Sequence, residues 1–280
     1  MTSRVGKLIG GSWRTPFSGH RLVRARNIVL IVRFLAIVSW LLLYGCGVET
    51  EVNASFVPVG TVRNTDVVAS EPFSFGWDST GRSRLVLSGV NGNVVVTGAA
   101  AGSNVTVNGE REVGSDSLAD AAAQLQQLKV EVEETGTDIV VRTVQPANLG
   151  GRRYTVNYQI QLPASIALSI VNVNGSVEVN GMTGDVYTSL VNGRIVAALE
   201  PSAMASIRLT VENGYIDLRL PQSTSTVLSA EVAHGVITLT DLVLQNEVRT
   251  STLLQGMLGA GSGTVFLKTT NGSIWLDDLT

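Results

Sequence analysis

Leu168-Ser169-Ile170-Val171-Asn172-Val173-Asn174-Gly175-Ser176-Val177-Glu178-Val179 is the stretch that decides the fold. Two short apolar alternations flank an Asn-Gly pair, and the chain repeats this unit. The pairs are Asn91-Gly92, Asn174-Gly175, Asn192-Gly193, Asn213-Gly214, His234-Gly235 and Asn271-Gly272, with histidine replacing asparagine once. The second and fourth residues after each glycine are apolar: Val94/Val96, Val177/Val179, Ile195/Ala197, Ile216/Leu218, Ile237/Leu239 and Ile274/Leu276. The seventh and fifth residues before it are Leu85/Leu87, Leu168/Ile170, Val186/Thr188, Ile207/Leu209, Leu228/Ala230 and Val265/Leu267. Only Thr188 breaks the rule. Alternation with period two marks a strand with one buried face, and Asn-Gly supplies the positive φ of a tight turn.

From Gly175 the glycines are spaced by 18, 21, 21 and then 37 residues. A repeat of about 20 residues with two strands per unit predicts an all-β chain, a β-solenoid or β-helix-like stack in which neighbouring units bury each other's apolar faces. Consecutive hairpins are the alternative. Around Asn213-Gly214 a hairpin would set Val211 against Ile216 and Leu209 against Leu218, which suits both. Around Asn174-Gly175 it would set Asn172 against Val177 and Val171 against Glu178, which does not. The pairs are therefore expected at corners between strands. The 37-residue gap holds an insertion, Asp241 to Gly263, ending in a glycine-rich run expected to form a tight crossing.

Upstream, the pattern divides the chain into an export signal (1–45), a tether (46–74), an N-terminal β portion (75–163) and the repeat stack (164–280). Within 75–163, Ser117 to Leu128 predicts one short helix, with Leu118, Ala121, Ala122, Leu125 and Leu128 on one face and Ser117 as its N-cap. Val130/Val132 and Ile139/Val141 around Gly136 predict a hairpin. Tyr154, Val156, Tyr158, Ile160 and Leu162 predict a strand closed by Pro163. This elaboration is expected to cover one end of the stack, whose open sheet would otherwise invite edge pairing.

Charge is segregated. Seven of the 20 Lys and Arg lie in residues 1 to 45, and all 23 Asp and Glu follow Cys46. The remainder has 13 basic against 23 acidic residues, a net charge of −10 that excludes nucleic acid as a partner. A basic flank, an apolar run from Phe34 to Tyr44 and Gly45 before Cys46 describe an export signal, since a spanning helix needs about 20 apolar residues. Leu43-Tyr44-Gly45-Cys46 resembles the lipobox of bacterial lipoproteins, with Tyr44 where a small residue is usual. That resemblance implies lipidation at Cys46 and a membrane partner reached through an N-terminal lipid. Gly47 at the following position implies the outer membrane or cell surface rather than the inner membrane. An uncleaved anchor from Ile28 to Tyr44 is the alternative, and the long basic flank leaves room for a translation start near Val23. Cys46 is the one cysteine, so an intramolecular disulfide and a cysteine-based metal cluster are excluded.

Two segments carry a family resemblance. Val173-Asn174-Gly175-Ser176-Val177-Glu178-Val179-Asn180-Gly181-Met182-Thr183-Gly184-Asp185-Val186, and Leu254 to Leu276 with its run from Gly256 to Gly263 leading into Asn271-Gly272, resemble the putative-adhesin family of bacterial β-strand-repeat envelope proteins. The likeness covers about residues 75 to 280. It implies a β-helix-like stack, often exported or membrane-attached, and no catalytic motif. Related domains occur in membrane proteins linked to envelope-stress signalling.

No catalytic, cofactor or metal site is expected. Of the two histidines, His20 lies in the signal region and His234 stands where other units have Asn, as a residue that tolerates a left-handed backbone. Asp217, Asp241, Asp277 and Asp278 fall at outward or strand-end positions and read as a solvated face, and Trp77 and Trp275 as core or cap residues. The function expected is adhesion or another interaction, with an unidentified protein or polysaccharide ligand. The alternatives are an accessory role in envelope-stress sensing and a carbohydrate-active enzyme built on carboxylates.

Overall fold

The computed structural model describes residues 65–280. The export signal, Cys46 and most of the tether lie outside them. The described residues form an all-β body with one helix. Its strands are β1 (Val67–Trp77), β2 (Arg84–Ser88), β3 (Val94–Ala99), β4 (Val105–Ser115), β5 (Lys129–Thr135), β6 (Asp138–Val144), β7 (Arg153–Pro163), β8 (Ala167–Asn180), β9 (Val186–Ala198), β10 (Ser206–Leu220), β11 (Thr226–His234), β12 (Ile237–Leu239), β13 (Gln245–Arg249), β14 (Leu253–Leu258), β15 (Gly263–Asn271) and β16 (Ile274–Asp278). They join into one mixed sheet of 16 strands.

Asn174-Gly175, Asn192-Gly193 and Asn213-Gly214 lie inside the long strands β8, β9 and β10, which pair in parallel through both halves. Asn174 lies beside Asn192, Asn192 beside Asn213, and Asn213 beside Asn271. No half folds back on its own other half, so the hairpin alternative does not apply here. The reason lies in the dihedrals. A two-residue hairpin of the Asn-Gly type needs positive φ at both central residues. Here only the glycines have it, from +126° at Gly92 to +159° at Gly235.

The burial pattern shows what the glycine does. Before the pair, the inward residues of β8 are Leu168, Ile170 and Asn172, and after it they are Val177 and Val179. The step from Asn172 to Val177 is odd, so the phase of the alternation flips at the corner. Each copy thus has a first arm and a second arm, and the inward residues of both belong to one continuous apolar core.

The stacking order departs from the chain order. β2 and β3 pair one after the other along one edge of β8, and β9 and then β10 follow on its other edge. Next come β15 and β16, the last strands in the chain, and only then β11 and β12. The 37-residue gap between the last two repeat glycines supplies the route. β14 pairs antiparallel with β11 on the side away from β15, and residues 259–262 carry the chain past the start of β11, where Gly263 N donates to Ser225 O at 3.0 Å.

At the other end, β6 extends the first arms beside β2, with β5 hairpinned outside it. β7 extends the second arms beside β3, followed by antiparallel β4 and β1. Helix α1 (Leu118–Leu125) packs on β1 and β4. Ser117 Oγ accepts from Asp120 N at 3.3 Å as its N-cap, and Arg152 clamps the Asp120 carboxylate with bonds of 2.5 and 2.7 Å.

Two expectations are corrected. The helix ends at Leu125, and of its expected apolar face Leu118 and Ala122 are exposed while Ala121, Leu125 and the following Leu128 are buried. The tether does not run to 74, because β1 begins at Val67 and pairs with β4 along its whole length. Its alternation, Phe73, Phe75 and Trp77, is masked in the sequence by Pro72 and by polar residues on the outer face. As an edge strand β1 tolerates a proline that a central strand would not. Phe73 lies over Gly109 and edge-on to Tyr158, with centroids 5.5 Å apart, so its ring fills the space a side chain at Gly109 would take.

Candidate interaction surface

At the corner, two columns run along the stack. In the first, each asparagine side chain donates to the one before it: Asn174 Nδ2 to Asn91 Oδ1 (2.7 Å), Asn192 to Asn174 (2.8 Å), Asn213 to Asn192 (3.0 Å) and Asn271 to Asn213 (2.8 Å). Asn91 Nδ2 anchors the column on Tyr154 O at 3.1 Å. His234, beside Asn271, ends it without joining it. Its φ is not positive, so the left-handed tolerance expected of this histidine is not used; that conformation belongs to Gly235 (+159°).

The second column is glycine on glycine. A Cβ on Gly193 would sit 1.8 Å from Gly175 O, and one on Gly214 would sit 1.6 Å from Gly193 O. Buried polar residues of the first arms add to the corner. Asn172 Nδ2 donates to Gly92 O at 3.0 Å, and Thr269 Oγ1 to Gly214 O at 3.4 Å.

The corner displays the residue that follows each glycine. In stack order this row reads Asn93, Ser176, Arg194, Tyr215, Ser273 and Val236. Asn93, Ser176, Arg194 and Tyr215, with Gly175 and Gly193 as floor, line an open trough of about 460 Å³. Asn93 Oδ1 accepts from Ser176 N (3.0 Å) and Oγ (2.8 Å), and Arg194 Nη1 reaches Tyr215 Oη at 3.4 Å. Tyr215 stands edge-on to Trp275, with centroids 4.9 Å apart and planes at 77°. A second trough, about 330 Å³, lies on the same face over β3, β7 and β4. Its walls include Thr97, Thr106, Asn108, Gln159 and Gln161.

Trp275 is therefore neither core nor cap. It is 41% exposed on the outer face, three residues after Gly272 where the alternation points outward. Trp77, by contrast, packs against the core, and its Nε1 donates to Glu134 Oε1 at 3.1 Å. The four acids considered for catalysis do not converge. Asp217 faces Arg219 at 3.8 Å, Asp241 sits in a turn with φ +54°, Asp277 accepts from Asp278 N, and Asp278 accepts from Gln222 N. Among the described residues no three His, Cys, Asp or Glu side chains are grouped to hold a metal ion, and no helix is long and apolar enough to cross a membrane.

No family model matches the sequence, nor does any curated protein. Solved structures do match. The crystal structure of a putative cell adhesion protein from Clostridium sporogenes is 12% identical, with a TM-score of 0.50 over 75% of this chain and 100% of that one. Putative adhesins from Bacteroides fragilis (10% identical, TM-score 0.26, 74% and 97% covered) and Parabacteroides distasonis (11%, 0.28, 78% and 99%) also align. The fold is shared with the first; the sequence is not.

Reading the sequence alone does not single out the trough residues Arg194 and Tyr215, although the signal is present. Superposing the six copies on their glycines places both in the column one residue downstream. Neither belongs to any contiguous motif.

Proposed function

We propose that this chain is an exported envelope protein, held to a membrane by lipid on Cys46 and displayed at the outer membrane or cell surface. Its stack acts as a β-solenoid for adhesion or another interaction rather than for catalysis. The observation that carries this reading is the outer face of the second arms, where parallel, in-register copies set side chains in rows across neighbouring strands over shallow open troughs. Enzyme sites concentrate convergent polar groups in an enclosed cleft, whereas long flat faces suit extended partners. The name of the Clostridium protein, a putative cell adhesion protein, points the same way.

Two measurements test the reading. Mass spectrometry of the mature N-terminal peptide should find Cys46 as the first residue with diacylglyceryl attached, and Cys46→Ser should leave the protein unprocessed or release it. Surface biotinylation of intact cells should label Lys268, which is exposed. Labelling only after lysis would overturn the envelope display.

A further inference from the structure

We propose that the outer face of the second arms binds an extended polysaccharide that carries carboxylates along its chain. A carboxylate would pair with Arg194, and a sugar ring would stack on Trp275. The inference deepens the interaction reading above and rests on it.

Shape comes first. The two troughs meet at β3, where Asn93 lines one and Val95 the other. Together they cross β10, β9, β8, β3, β7 and β4, six strands at about 4.8 Å spacing, or roughly 24 Å of open run. A run of that length, shallow throughout, accommodates a chain rather than a compact metabolite.

Charge decides the kind of chain. Neither trough has a carboxylate in its lining, on a body that is otherwise acidic. Of the carboxylates bordering the run, Asp217 beside Trp275 faces Arg219 at 3.8 Å, and Glu178 beside Val95 accepts from Asn180 Nδ2 at 2.8 Å. Among the described residues Arg194 has no carboxylate partner. Its one contact, the 3.4 Å approach to Tyr215 Oη, leaves most of its five N–H donors free. A planar carboxylate is the ligand group that a guanidinium takes through two parallel hydrogen bonds.

The remaining side chains suit sugar. Asn93, Ser176, Thr97, Asn108 and Gln159 carry amides and hydroxyls that both donate and accept, as ring hydroxyls require. Trp275, exposed and in T-shaped contact with Tyr215 at the end of the run, offers aromatic surface to the C–H side of a pyranose. A protein partner would need a contiguous apolar centre, and a nucleic acid several unpaired cations. The troughs have neither.

Affinity electrophoresis of the full chain in detergent tests this, using gels cast with polygalacturonate or with neutral dextran. The parent should be retarded by polygalacturonate and not by dextran. Arg194→Gln and Trp275→Ala should each weaken the retardation about tenfold. Arg208→Gln, on the outer face of the first arms, should not. All three side chains are exposed, and unchanged unfolding midpoints would show that the fold is intact. No retardation of the parent, equal retardation by dextran, or a loss shared by Arg208→Gln would overturn the inference. Adherence to envelopes without polygalacturonate binding would overturn it while leaving the broader interaction reading in place. A chain absent from the envelope would overturn that reading instead.

Discussion

Gly193 holds two constraints at once: φ is +136°, and any Cβ would overlap the carbonyl oxygen of Gly175 in the adjacent strand. Neither atom can yield without moving a corner of the stack. Gly193→Ala should therefore lower stability by more than about 3 kcal/mol in urea titration. Gly102, also at positive φ (+81°) but with open space where a Cβ would stand, separates the two effects. Gly102→Ala should cost only the backbone penalty, about 1 to 2 kcal/mol. Thr188 is the opposite case. It is fully buried between Ile170 and Leu209, and its Oγ1 has no hydrogen-bond partner. Thr188→Val keeps the shape and removes an unsatisfied hydroxyl, so it should raise the unfolding free energy by about 1 kcal/mol. That residue is the one break in the apolar rule, and the structure gives it no compensating contact.

Among the elements, β7 joins the two kinds of pairing, with parallel β3 on one side and antiparallel β4 on the other. Its inward Tyr158 shares a 2.7 Å hydrogen bond with Thr143 Oγ1, and burial pushes its phenol up to about 12. Burial favours the neutral form, so its contribution is whole below the unfolded value near 10 and is lost as pH rises towards 12. Over that window roughly 2 to 3 kcal/mol should disappear. Tyr158→Phe should be less stable at neutral pH by about 1 kcal/mol, yet decline less steeply as the pH rises through that window in urea midpoints. The strands β2, β3, β5 to β12, β15 and β16 are legible in the sequence because period-two runs leave one buried face. β1 is not, because Glu71, paired with Arg111, takes an inward register position between Ala69 and Phe73, and Pro72 follows it, so the apolar count is broken. Trp275 is misread for a related reason: its size suggests burial, whereas its parity points outward. The trough is hidden because its residues come from different copies and meet only across strands.

For the whole molecule, the two ends of the stack are closed differently. One end carries α1, the β5–β6 hairpin and β1. At the other, β13 is short, bulged and charged, and Arg249 Nη2 occupies the Ile237 carbonyl at 2.9 Å on the edge strand β12. Interior edges have no such protection. Removal of residues 263–280 takes away β15 and β16 and leaves β10 and β11 facing each other across an empty place. That truncated chain should aggregate where the parent stays monodisperse in light scattering, because two long unpaired edges become available to other chains.

The placement of β15 and β16 between β10 and β11 also fixes a timetable. A stack whose copies followed chain order could grow by zippering, each arriving segment docking on the last. Here a segment made after β11 to β14 is an interior one, so the body cannot be completed until β15 and β16 have been made. β11, already paired with β14, and β12 must wait for β15 and β16 to join them to β10. The rate-limiting event is then a late insertion with a high loop-closure cost, and refolding should be slow for a chain of this size. Such a protein stays open between β10 and β11 until a segment made after both has reached its place.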